Sequence, residues 1–310
     1  MTNKMTRRTF IKSSAVLGAS SVLGSGALGM MNKPSFADDT IDIAAVKGSD
    51  PYMNTIKAVE LLGGIGKFVS KQSKVGLLIN SHFRHPGSHV NPDITLAVIC
   101  MCLDAGAKEV GIIKRIKDSY WRRSKLFKKY IDQVKSTRFI GGNFTEVPLP
   151  QGRSLKKTEV ARGLLDCDVL INIPIAKHHD GVGYTGTLKN MMGAQSDKSN
   201  RFFHFSTGGK GYYDDVEFLA QCIADLGFLR KPDLCILDGM EMITENGPFG
   251  PGKLVRPKKV LAGLDRVAMD VYGANLLGAK GEEILTTQKA HEHGLGEINL
   301  SSVPVREVTI

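Results

Sequence analysis

Lys177, His178 and His179 follow directly after the apolar run 169–176, and Lys189-Asn190 comes a short segment later. Charged groups leaving a buried strand must be solvated or paired, so this placement predicts a cleft. Lys177, Lys189 and Arg84 are of the type that holds a carboxylate or phosphate. His178 could move a proton near neutral pH or ligate a metal. Asp238, at the end of another apolar run, offers hard oxygen ligands or a carboxylate base, with Glu245 nearby. The expected catalytic set is Lys177, His178, Lys189 and Asp238. The expected ligand- or cofactor-binding set is Asn80, His82, Arg84, Thr187, Asn190, Gly247 and Gly252. A divalent metal would take His178 and Asp238. Thr185 or Thr187 could cap the helix carrying Lys189, whose first amides also favour an anion.

Each of these residues has a plainer reading. Asp238 can cap a turn with Gly239. His82, His85 and His89 have metal-ligand spacing only if their segment is helical, and Pro86-Gly87 argues against a helix. His291 and His293 fit a solvated helix end, where a cation complements the dipole. The loops carry the signal as a group.

The elements that must position these residues alternate between strand and helix. Short apolar runs at 74–80, 109–113, 169–173, 234–237 and 260–262 predict strands buried on both faces, with a short piece at 138–140. Helices are expected at 92–105, 121–135, 213–226 and from Asp265 to about Leu277. Pro92 opens the first, Gly106 stops it, and Asp265 caps the last. A further helix is expected to end over 160–167. This alternation predicts an α/β fold: a mainly parallel sheet with helices on both faces, in a single domain. In such sheets ligands bind beyond the C-terminal strand ends, where the polar segments above fall. The Gly/Pro-rich segment 246–257 is expected to form part of the site.

The first 37 residues set the compartment. Thr6-Arg7-Arg8-Thr9-Phe10-Ile11-Lys12 resembles a twin-arginine export signal, which a translocase reads as an address. A weakly apolar stretch and Ser35-Phe36-Ala37 predict cleavage after Ala37, and so an exported, periplasmic protein with the twin-arginine translocase as a transient partner. Too many Gly and Ser residues lie in that stretch for a good membrane anchor. Residues 38–70 are expected to form an N-terminal segment ahead of the α/β domain at 71–310. The full chain carries a net charge of +10. Lys4, Arg7, Arg8, Lys12 and Lys33 would leave with the signal, halving that excess. The basic run from Lys114 to Lys129, with Trp121 inside it, is expected to be a solvated helix face, and no nucleic-acid partner is expected in an exported protein. Five cysteines without a C-x-x-C spacing give no iron–sulfur cluster motif; buried free thiols are expected.

In order along the chain stand Asn91-Pro92-Asp93, Asp104-Ala105-Gly106-Ala107-Lys108-Glu109-Val110, Ile173-Pro174-Ile175-Ala176-Lys177-His178 and Gly186-Thr187-Leu188-Lys189-Asn190-Met191-Met192-Gly193. Leu237-Asp238-Gly239, Asn246-Gly247-Pro248 with Gly252, Ala262-Gly263-Leu264-Asp265-Arg266-Val267-Ala268-Met269-Asp270 and Gly294-Leu295-Gly296 complete the series. Together they resemble the family called domain of unknown function 362, over residues 75 to 296. The resemblance implies a redox association, because other members carry ferredoxin modules or export signals. The chain departs from the family at Asn80-Ser81-His82, where Lys-Pro-Asn is common. A fainter similarity, around Arg84 and in the layout of His and Lys, links it to the nickel-pincer lactate racemase family. Three readings follow: an exported protein binding a small anionic ligand, cofactor or metal in a strand-end cleft; a non-catalytic accessory protein with a redox partner; and an isomerase-like enzyme.

Overall fold

In the computed structural model, which describes residues 41–205 and 215–310, the apolar runs become strands because both of their faces are covered. Val75, Leu77 and Ile79 point to one side of the strand Lys74–Ile79 and Leu78 to the other, and all four are buried. The export signal expected over 1–37, and the start of the helix expected from Tyr213, lie outside the described residues.

Chain order gives β1 (Ile43–Lys47), β2 (Lys74–Ile79), β3 (Glu109–Ile112), β4 (Arg138–Phe139), β5 (Phe144–Pro148), β6 (Lys157–Ala161) and β7 (Val169–Ile173). There follow β8 (Lys177–His179), β9 (Gly183–Thr185), β10 (Leu234–Gly239), β11 (Met242–Ile243), β12 (Leu254–Val255), β13 (Lys259–Gly263) and β14 (Val305–Thr309). Eight of these form the main sheet, in the order β14-β1-β13-β10-β7-β2-β3-β4. Every neighbouring pair is parallel except the two made by β13, which is antiparallel to β1 and β10. The other three pairs, β5–β6, β8–β9 and β11–β12, are small antiparallel ribbons.

Helices α1 (Pro51–Leu61) and α2 (Pro92–Asp104) cover one face, packing on Val75, Ile171, Ile236 and Val260. After the short α3 (Asp118–Trp121), α4 (Ile131–Lys135) and α5 (Arg162–Asp166) come α6 (Thr187–Asn190), α7 (Asp197–Phe205), α8 (Val216–Asp225), α9 (Arg266–Leu276) and α10 (Leu285–Glu292). Side chains of α6 to α10 build the core on the opposite face, around Leu78, Leu170, Leu237 and Leu261. This is the α/β architecture expected, with helices on both faces of a mainly parallel sheet. The stretch before residue 71 contributes directly to it, since β1 pairs with both β13 and β14.

Local signals account for the helix ends. Asp50 accepts the amides of Tyr52 and Met53, Asn91 that of Asp93, and Asp265 those of Val267 and Ala268. Gly106 follows α2 at φ +85°, a conformation that glycine adopts without Cβ strain.

The structure corrects three expectations. The helix expected over 121–135 breaks into α3 and α4. Tyr120 and Trp121 turn into the core, Trp121 stacks on Phe127, and Ser124 bonds Asp93 while accepting the Leu126 amide. Tertiary packing of the aromatics outweighs the helical pattern of charges there. Residues 157–161 form β6, and only the short α5 follows before β7. His293 is not a solvated helix end: its side chain is buried against Phe228, and its Nε2 lies 2.7 Å from the Asp225 carboxylate. All five cysteines are buried and unpaired, as expected.

Candidate functional site

Because β2, β3 and β7 run parallel, their C-terminal ends share one edge of the sheet. A cavity of about 290 Å3 opens there. Asn80, Ser81, His82 and Phe83 enter it from the end of β2, and Lys114 from the end of β3. The β8–β9 ribbon beyond β7 supplies Lys177, His179 and Thr185. Lys189 and Asn190 come from α6, and Asp197, Asn200 and His204 from α7. Pro248 and Phe249 close one side. Of the segment 246–257, these two residues line the cavity.

Lys177 is fully buried. Its Nζ donates to the Ser88 carbonyl at 2.5 Å and the Pro248 carbonyl at 3.3 Å, and lies 3.9 Å from the Phe83 ring centroid. Phe83 meets Phe249 edge-on at 5.3 Å. Burial, then the charges of Lys189 and Lys114, push the Lys177 amine well below the ordinary lysine range. The Lys189 amine touches the Met192 sulfur at 3.4 Å, and burial followed by the Lys114 charge brings it down to about 7. Lys114 is also lowered by burial, against the pull of Asp197. Among the described residues none of these three lysines is within 4.0 Å of a carboxylate.

The histidines add donors and acceptors. His179 Nδ1 accepts the Gly181 amide at 3.1 Å, which places the ring proton on Nε2. Burial, then the neighbouring lysines, lower this ring strongly. His204 Nδ1 donates to the Asn200 carbonyl at 2.7 Å, and burial lowers the ring to about 4. His82 is lowered by burial and then by Lys114. Two buried hydroxyls on the cavity wall, Ser81 Oγ and Thr185 Oγ1, have no hydrogen-bond partner. Such orphans are uncommon in native cores, and both belong to residues that line the cavity.

Lys189 is aimed from behind. Asp270, on α9, accepts the Thr187 amide at 2.5 Å, the Thr187 hydroxyl at 2.7 Å and the Leu188 amide at 3.0 Å. Asn190 donates to the Leu78 carbonyl at 3.0 Å and to Asn172 Oδ1 at 2.7 Å, tying α6 to β2 and β7. The cap expected from Thr185 or Thr187 is therefore corrected. Gly186 is the N-cap residue and contributes no side chain, and Asp270 takes the amides an anion would have used. Thr187 itself is buried, bonded to Asp270 and the Arg266 carbonyl, and does not line the cavity.

Of the expected catalytic set, the structure brings Lys177 and Lys189 together and leaves two residues out. Asp238 accepts the Asn91 amide at 2.6 Å and the Met240 amide at 2.8 Å, so its carboxylate holds a turn and the start of α2. Burial raises it to about 7. His178 is half-buried beside the cavity, with Nδ1 accepting the Gly247 amide at 3.2 Å and lying 3.5 Å from Asp180. The metal pairing of His178 with Asp238 is not formed: both Asp238 oxygens and His178 Nδ1 accept backbone amides. Among the described residues no group of three or more His, Cys, Asp or Glu could hold a metal ion. From the expected binding set, Asn80, His82 and Asn190 line the cavity. Arg84 is exposed, and its carbonyl accepts from Arg123. Gly247 and Gly252 lie where a Cβ would overlap the carbonyls of His178 and Glu245, so both serve the path of the loop.

Lys114, Ser81, Thr185, His179 and His204 complete the site. Lys114 carries a readable signal: it stands just after a predicted strand, at the same edge as the others. Its membership of a longer basic run hides it.

The family model described as Domain of unknown function (DUF362) matches residues 74–275. A thylakoid-associated protein of Synechocystis sp. is 26% identical over 201 residues, covering 62% of this chain and 59% of that protein. Among solved structures, the lactate racemase apoprotein from Thermoanaerobacterium thermosaccharolyticum is 14% identical with a TM-score of 0.43, covering 83% of this chain and 57% of its own. A Thermotoga maritima protein is 13% identical with a TM-score of 0.38, covering 79% and 60%. The chain thus spans about three fifths of each of these proteins, and at those TM-scores the structural likeness says nothing about chemistry.

Proposed function

We propose that this chain, which belongs to the DUF362 family, binds a small, multiply charged oxyanion in the cavity at the ends of β2, β3 and β7. One observation carries the reading. Lys114, Lys177 and Lys189 come from three separate segments to one cavity and, among the described residues, find no carboxylate within ion-pair distance. Three like charges gathered in one partly buried cavity are costly unless something of opposite sign joins them. A carboxylate or phosphate would raise all three amines toward their charged forms and accept from the Ser81 and Thr185 hydroxyls as well.

Calorimetric titration with succinate, inorganic phosphate and pyrophosphate, at low and raised salt, tests this. Saturable one-to-one binding of at least one anion, lost in the Lys114→Met/Lys189→Met double variant, supports the proposal. Binding that survives the double substitution places the anion elsewhere and defeats it.

The twin-arginine motif supports a second proposal, that the protein acts outside the cytoplasm. Fractionating cells that express the full chain, with and without Arg7→Lys/Arg8→Lys, tests it. Recovery of both forms in the cytoplasm would remove export from the account.

A further inference from the structure

We infer that the amine of Lys189 condenses with a carbonyl group of the bound oxyanion, so that the ligand class is an aldehyde or ketone carrying a carboxylate or phosphate. The inference deepens the anion-binding proposal and rests on it.

Lys177 and Lys189 share a cavity, but their surroundings assign them different work. The Lys177 hydrogens point at the Ser88 and Pro248 carbonyls, and its charge rests on the Phe83 ring. Such a group has its hydrogens engaged and is held in place as a donor. Lys189 has only the Met192 sulfur at 3.4 Å, a weak acceptor. With no carboxylate beside it among the described residues and Lys114 as a neighbouring cation, little there stabilises its ammonium. The lone pair of a desolvated lysine is a nucleophile, and desolvation plus a second cation is the usual way to expose it.

Asp270 and Asn190 fix the turn on which Lys189 sits, so the amine is presented from a rigid support. Lys114 and Lys177 remain to hold the anionic end of the ligand.

The step balances without an oxidant or reductant. Lys189 Nζ attacks the carbonyl carbon, and the C=O pair moves to oxygen, which takes up a proton. The carbinolamine then loses that oxygen as water, the nitrogen gives up its proton, and a C=N bond joins the lysine to the ligand. Release by hydrolysis reverses each step.

Reductive trapping tests the inference. The full protein is incubated with succinate semialdehyde or glycolaldehyde phosphate, treated with sodium borohydride, and its intact mass and peptides are measured. The expected product carries one added group, equal in mass to the carbonyl compound less one oxygen, mapped to Lys189 and at least tenfold reduced in Lys189→Arg. Circular dichroism confirms that Lys189→Arg is folded, and Lys189→Met serves if it is not. Succinate and ethyl phosphate, which lack the carbonyl, are titrated in parallel. If these bind while no Lys189 adduct forms, or the adduct maps to other lysines, the imine is overturned and anion binding stands. If they do not bind at all, both proposals fall.

Discussion

Asp270 Oδ1 accepts the backbone N–H of Thr187 at 2.5 Å, so a carboxylate on α9 sets the turn from which Lys189 reaches the cavity. The same carboxylate accepts from the Leu188 amide and the Thr187 hydroxyl. Because the two amides are buried, removing the acceptor leaves them unsatisfied, while the Thr187 hydroxyl keeps the Arg266 carbonyl.

Asp270→Ala should therefore lower stability by about 3 kcal/mol, the cost of stranding two buried amide donors. Urea unfolding at neutral pH measures it. Anion affinity should fall as well, because the turn under Lys189 is no longer held. A loss of stability below about 1 kcal/mol would show that the bonds to Asp270 contribute little.

Thr185→Val and Ser81→Ala should behave in the opposite way. Each removes a buried hydroxyl that has no partner, so the protein without ligand should hold its stability or gain about 1 kcal/mol. Anion affinity should fall about fivefold in each, in line with one lost hydrogen bond. Thermal unfolding with and without succinate reads both effects. Equal destabilisation in the two states would assign these hydroxyls to the fold instead.

Anion affinity should weaken as pH rises through about 7, where Lys189 loses its proton. Lys114 and Lys177, also lowered, contribute to the same trend. His82, His179 and His204 are lowered too and are neutral there, so they do not oppose it. In Lys189→Met the step near pH 7 should shrink. An affinity that rises with pH would contradict the charge assignment.

Stability should also depend on pH through Asp238, raised by burial from 3.8 to about 7. Between those values the folded protein holds a proton that the unfolded chain has released. Stability is therefore greatest at the acid end of that window and falls as pH rises toward 7. Asp270, raised to about 7 in the same way, adds a parallel slope. Asp238→Asn should flatten the profile measured by urea unfolding, and an unchanged slope would rule Asp238 out as its source.

The sheet was largely legible from sequence, because runs such as Val169–Ile173 are apolar at every position but Asn172 and are buried on both faces. β1 is equally apolar on both faces, but it stands close to the expected signal and carries no helix-strand alternation before it to announce it. Lys177, Lys189, Asn80, His82 and Asn190 were reachable from the rule that polar groups after parallel strands converge. That rule gives an edge and not a direction. Asp238 stands at a strand end as well, yet its carboxylate turns inward to the Asn91 amide. Asp270 stands in mid-helix, remote in sequence from the turn it caps, and no local spacing reveals such a bond. Lys114 was hidden by its neighbours. A basic run reads as a solvated face, and only the end of β3 separates this lysine from the exposed ones after it.

Isothermal titration of succinate into the wild-type protein and into Lys114→Met/Lys189→Met, at pH 6 in low salt, addresses the central claim most directly. The account predicts one saturable site in the wild type and at least a hundredfold weaker binding in the double variant, which is about 3 kcal/mol for two lost charge-assisted contacts. Equal affinity in the two proteins would contradict it.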